Sequence, residues 1–150
     1  MNYYLMCLLL TQNLLIGADS RVVRLVFKNK RSSDVIVKST HRSCWRGGDL
    51  DSVLPKTLAP NEETGAYNTY TDCHDQAHHQ LELYFENKDD SKENVKLKMS
   101  IHQTITREGV LLARCKAEVV DFEGIILELG NKPSNGRACV SWDHLYVTIV

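Results

Sequence analysis

Apolar and polar residues alternate along most of the chain with a period of two. That is the pattern of strands with one face in a core and the other in water. From Arg21 to Asn29, Val23, Leu25 and Phe27 fall on one side and Val22, Arg24, Val26 and Lys28 on the other. Asp34–Thr40 is built around Val35, Ile36 and Val37, and Leu81–Asn87 sets Leu81, Leu83 and Phe85 against Glu82, Tyr84 and Glu86. The clearest run is Asn94–Thr104, where Val95, Leu97, Met99 and Ile101 oppose Lys96, Lys98, Ser100 and His102. Val110–Val120, Gly124–Leu129 and Leu145–Val150 extend the series, with shorter strands at Val53–Leu58 and Gly65–Thr71. Polar turns separate them, and the first, from Lys28 to Asp34, reads as a hairpin. Gly47, Gly48, Pro55, Pro60 and Gly65 make the stretch between Cys44 and Cys73 rich in loops. No long segment has helical period. A helical turn is a candidate at Asp72–His79, and Ala117–Glu123 suits either state. Seven to nine short strands predict one all-β domain over residues 21–150, an antiparallel β-sandwich or small β-barrel.

The first twenty residues read differently. An apolar run from Tyr3 to Ile16 is interrupted by Thr11, Gln12 and Asn13. It is too short and too polar for a membrane span, which needs about 20 apolar residues. It suits a secretory signal peptide over residues 1–20, with cleavage after Ala18 or Ser20. A buried N-terminal strand or helix is the competing reading. The expectation is a secreted, extracellular protein with no transmembrane segment in the mature chain.

Removal of that segment changes the charge and cysteine arithmetic. Of 19 acidic residues only Asp19 is lost, so 18 basic residues face an equal number of acidic ones. Such a balance gives no basic face for nucleic acid. Of five cysteines Cys7 is lost, leaving Cys44, Cys73, Cys115 and Cys139. An even number in a small secreted chain implies two disulfides, with three connectivities open. Sequential pairing, Cys44 with Cys73 and Cys115 with Cys139, closes the shortest loops and is preferred. Each loop would contribute about 3–4 kcal/mol in the chain-entropy description. Four reduced, buried thiols are the alternative. No C-x-x-C pair supports a metal site.

Few residues suggest chemistry. His74 and His78 would share one face of a helix at a spacing that zinc ligands use. No Glu accompanies them, and a solvated histidine-rich loop is the simpler reading. No G-x-S-x-G elbow and no glycine-rich phosphate loop is present, so neither an enzyme nor a cofactor is expected. Trp45, Arg46, Tyr67 and Tyr70 lie in the Cys44–Cys73 stretch. Those residue types dominate binding hot spots, although tryptophans beside cysteines also pack into the cores of small secreted sandwiches.

The C-terminal run Asn135-Gly136-Arg137-Ala138-Cys139-Val140, followed by Tyr146-Val147-Thr148-Ile149-Val150, resembles the end of the Alternaria major allergen-like proteins. The resemblance covers roughly the last 70 residues. It implies a small secreted β-barrel with a signal peptide, two intrachain disulfides and a role in secretion and host contact, with no settled enzymatic activity. The Cys44–Cys73 loop is longer than the first loop of that family. A looser likeness, through the opening strand, the turn and Leu58-Ala59-Pro60-Asn61-Glu62, is to the aegerolysins and actinoporin-like lytic sandwiches. The expected function is non-enzymatic binding of a host or extracellular protein. A lipid surface is the alternative partner, and a small secreted hydrolase is the third reading.

Overall fold

The computed structural model describes residues 22–71, 78–105, 107–109, 111–131 and 145–150. Among the described residues ten strands follow one another: β1 (Val22–Asn29), β2 (Val35–Ser43), β3 (Trp45–Arg46), β4 (Lys56–Leu58), β5 (Tyr67–Thr71), β6 (His78–Asn87), β7 (Asn94–Ile105), β8 (Leu111–Glu123), β9 (Leu127–Asn131) and β10 (Leu145–Ile149). One short helix, α1 (Asp49–Val53), lies between β3 and β4. The strands form two five-stranded sheets, ordered β3-β5-β1-β10-β9 and β4-β2-β6-β7-β8. The fold is mostly β and consistent with a sandwich.

The alternation seen in the sequence becomes the interior. Val23, Leu25 and Phe27 of the first sheet face Leu81, Leu83, Phe85, Val95, Leu97, Met99 and Ile101 of the second, and all are buried. Phe27 meets Phe85 across the sheets at 5.9 Å between ring centres, edge to face. On the opposite side of β6 and β7, Glu82 pairs with Lys96 at 3.8 Å and Lys98 at 3.6 Å. This is one dry and one wet face, as an antiparallel pair permits.

One pairing departs from the antiparallel expectation. β1 and β10 run parallel, with Leu25 opposite Leu145 and Ile149 opposite Asn29. Parallel neighbours cannot be joined by a tight hairpin, and here they are the first and last strands of the order. The first half of β1 pairs with β5. Beyond Leu25 the loop before β5 takes over: Thr64 N donates to Phe27 O at 2.9 Å, and Phe27 N to Thr64 Oγ1 at 3.0 Å.

Asparagine side chains fix the hairpin end. Asn29 is fully buried, and its Nδ2 donates to Ser33 O, Leu58 O and Ala59 O at 2.9, 3.0 and 3.2 Å. Its Oδ1 accepts from Arg31 N at 3.0 Å. Asn87, at the same place in β6, accepts from Asp89 N at 3.0 Å and donates to Glu93 Oε2 at 2.7 Å. Both are Asx turns that satisfy the backbone where a strand ends. Arg31 spans this end, donating to Gly124 O at 3.0 Å and pairing with Glu93 at 2.6 Å.

The turn after β4 has a similar logic. Pro60 presets the second position and Asn61 takes the left-handed third, at φ 61°, as a type II turn requires. Glu62 N donates to Ala59 O at 3.0 Å, and Glu62 Oε2 accepts from Ala59 N at 2.8 Å. That backbone donor, with Lys56 at 3.1 Å, holds the Glu62 carboxyl below its ordinary value near 4.5. A carboxylate depressed by folding stabilises above its unfolded value and stops doing so as pH falls through the folded one. Glu62→Gln should therefore lower the urea midpoint slightly at neutral pH. The gap from wild type should close as pH falls below about 5. A gap that does not narrow as pH falls below that point contradicts this account of the turn.

The segment expected to be a signal peptide, residues 1–20, lies outside the described residues, as do Cys73, His74 and Cys139. Cys115 lies in β8, opposite Ile101. Cys44 is disulfide-bonded. Among the described residues no helix is long and apolar enough to cross a membrane. Ala117–Glu123, ambiguous in the sequence, is strand. The Asp72–His79 segment ends in strand too, since His78 and His79 open β6. The helical spacing that would align His74 with His78 therefore does not hold at His78.

Candidate functional site

The end of the sandwich opposite the asparagine turns is built by β3, α1 and β5. Trp45 opens β3 opposite Thr71, and Arg46 lies opposite Tyr70. Alternation then decides the four aromatic and basic candidates. Trp45 faces inward and is 4% exposed, with Nε1 donating to Thr69 Oγ1 at 2.9 Å. Thr69 Oγ1 in turn donates to Val23 O at 2.8 Å. A buried indole N–H needs such a partner, and this relay ties β3 to β5 and β1. Tyr67 leans inward as well, with its ring 6.1 Å from that of Phe27. Arg46 is exposed and Tyr70 half-buried on the outer face. Trp45 thus takes the core-packing reading and not the displayed one, while Tyr67, like Tyr70, is half-buried. Burial claims the indole wholly and the Tyr67 ring in part, because odd-numbered β5 positions face the core.

The structure adds neighbours that sequence patterning did not flag. Arg24 Nε donates to Asn68 Oδ1 at 3.2 Å beside Tyr70 on the same outer face. α1 forms because Leu50 is driven into the core, while carboxylates of its first turn hold the loop. Asp49 Oδ2 accepts from Asn68 N at 3.1 Å. Asp51 pairs with Arg42 and accepts from Gly47 N at 3.1 Å.

Of the two glycines before α1, Gly48 is required by space and backbone, whereas a Cβ on Gly47 would meet only side-chain ends. A Cβ on Gly47 would collide with the Asp51 carboxylate and lie 2.6 Å from Arg42 Nη1. Gly48 has φ 51°, and a Cβ there would lie 2.5 Å from Asn68 O and 2.7 Å from the Tyr70 ring. A backbone with no side chain therefore sits directly against Tyr70. The Gly47-Gly48 pair was legible as a turn signal but not as a packing surface.

Two clefts meet at Asp51. One, of about 470 Å³, is lined by Arg46, Gly48, Asp51 and Tyr70. The other, of about 360 Å³, is lined by Lys38, Ser39, Arg42, Asp51, Leu54 and Pro55. Asp51 is held by Arg42 and a backbone amide, and serves to orient the walls.

His79 lies beneath this end. It is buried, and its Nδ1 is 2.8 Å from Cys44 O. A carbonyl can only accept, so Nδ1 carries the proton. Nε2 is buried without a hydrogen-bond partner. Among the described residues no group of three or more His, Cys, Asp and Glu side chains is arranged to hold a metal ion.

The chain matches no known family model, and no curated protein matches it. The geometry therefore carries the reading alone. Trp45→Ala should destabilise by about 3–5 kcal/mol, as truncation of a buried tryptophan does. Arg46→Ala should change stability by about 1 kcal/mol or less, as for a surface charge. Urea denaturation of the two variants checks both; equal losses would contradict the assignment of faces.

Proposed function

We propose that the chain is a secreted, non-enzymatic binding protein that engages an extracellular protein through the β3–α1–β5 end. The observation that supports this most is the juxtaposition of Arg46 and Tyr70 on neighbouring strands, lining one cleft together with Gly48 and Asp51. Tyr and Arg are enriched where binding energy concentrates. Recognition residues also tend to lie on short segments carried by a rigid scaffold. The loop is held from several directions: Asp49 grips β5, Asp51 grips Arg42, and Cys44 is cross-linked. Such restraint lowers the ordering cost of binding.

Cys73 is the partner proposed for Cys44. Trp45 is paired with Thr71, so each cysteine is one or two residues from a paired position. Cys115 with Cys139 completes the expected set. Secretion, the signal peptide and the likeness to the allergen-like proteins belong to the same proposal.

Capture from extracellular fluid on immobilised protein, followed by quantification of each bound species, tests the reading. Arg46→Ala and Tyr70→Ala should each reduce the specific partner at least several-fold, while Lys96→Ala, on the outer face of β7, should leave it unchanged. Equal capture by all three removes this end from the function. Loss of binding to phosphatidylcholine vesicles instead would point to the lipid reading.

A further inference from the structure

The edge of the second sheet carries a different kind of recognition. β8 is the longest of the described strands, at 13 residues. It pairs with β7 on one side and has no described strand on the other. Long open edges are usually blunted by proline, charged side chains, bulges or a short strand, and of these β8 has only charges. Leu111–Glu123 contains neither proline nor glycine. Its core-facing residues Ala117 and Val119 stay only half-buried, although Met99 and Leu97, their partners on β7, are 1% and 0% exposed. Among the described residues, this strand is thus paired on one side only, and its core-facing residues are less covered than their partners.

The outer face of the sheet is a charge ladder that stops at this edge. His41, Glu82, Lys98 and Glu118 form one row across β2, β6, β7 and β8. Lys116 lies in the neighbouring row, opposite Ser100, with its Nζ 3.2 Å from Glu118 Oε2. Both are substantially exposed, at 69% and 49% of their side chains.

We propose that β8 pairs antiparallel with β8 of a second copy about a two-fold axis at Ala117, joining two sheets into one of ten strands. In that register Lys116 of each copy lies opposite Glu118 of the other. The row Glu82-Lys98-Glu118 then continues into a lysine, keeping its alternation of sign. Directly opposite charges on one face stabilise a pair, and like charges destabilise it. The charges also select the register. An axis at Lys116 would set lysine against lysine, and an axis at Glu118 glutamate against glutamate. The same axis at Ala117 puts Cys115 opposite Val119 and Arg114 opposite Val120. The straight edge ends after Val120, because Asp121 takes φ 49°. A two-fold contact of this kind closes on itself and exhausts the edge.

Sedimentation equilibrium on the disulfide-intact protein, over a concentration series, tests the pairing. Wild type should be a monomer–dimer equilibrium. K116E alone and E118K alone should each weaken association about tenfold, since symmetry gives two repulsive pairs per interface. An equimolar mixture of K116E and E118K should recover dimer, now heterodimer, because each chain supplies the charge the other lacks. The double variant K116E/E118K should dimerise as wild type does. A wild type that is monomeric throughout overturns the proposal. So does a dimer indifferent to either single charge reversal, or a mixture no more associated than its components. If one single variant fails to fold, the other and the double variant still decide the matter.

Discussion

The contact between Phe27 and Phe85 is the one on which the rest of the molecule depends. It joins the two sheets, with the rings edge to face at 5.9 Å. Both phenylalanines sit two residues before an asparagine that ends the strand. Phe27-Lys28-Asn29-Lys30 and Phe85-Glu86-Asn87-Lys88 are near copies in sequence and in role. In each the aromatic ring enters the core and the asparagine turns the chain. The asparagine amides satisfy carbonyls and amides that would otherwise be buried unpaired, a loss of about 1–3 kcal/mol each. Packing between the sheets and polar closure at their end are therefore one device.

That device divides the sandwich into unlike ends. The hairpin end is locked by Asn29, Asn87, Arg31 and Glu93, with side-chain bonds reaching four separate segments. The opposite end has a five-residue helix, a glycine pressed against β5 and an exposed arginine beside a half-buried tyrosine. A rigid core with a restrained polar rim is suited to recognition. In the proposed binding role, the backbone of the rim would stay in place while its side chains meet a partner. The β8 edge, unpaired among the described residues, lies on the other sheet, and the pairing proposed for it would use charge order in place of aromatic contact.

How much of this was readable in advance follows from what period-two patterning encodes. It names the core face, so Val23, Leu25, Phe27 and the Val95–Ile101 series were legible from the alternation itself. It also placed the main strands within a few residues. It did not reveal α1, because one turn held by Leu50 and two aspartates is too short to show helical period. Nor did it assign Trp45 and Tyr67 to the inside, since β3 has two residues and β5 five, with no alternation to read. Arg42, Arg24 and Asp51 escaped notice because their importance arises from pairing across the sheet and loop. The parallel β1–β10 pair was illegible for the same reason: direction relative to a distant strand leaves no local mark.

A double-mutant cycle on Phe27→Leu and Phe85→Leu, read by urea denaturation, tests most directly whether the inter-sheet contact organises the fold. Each single substitution should destabilise, and the two losses should fall short of adding by about 0.5–1.5 kcal/mol, the coupling expected of an aromatic pair in contact. Strict additivity, with no coupling between the two rings, would contradict it.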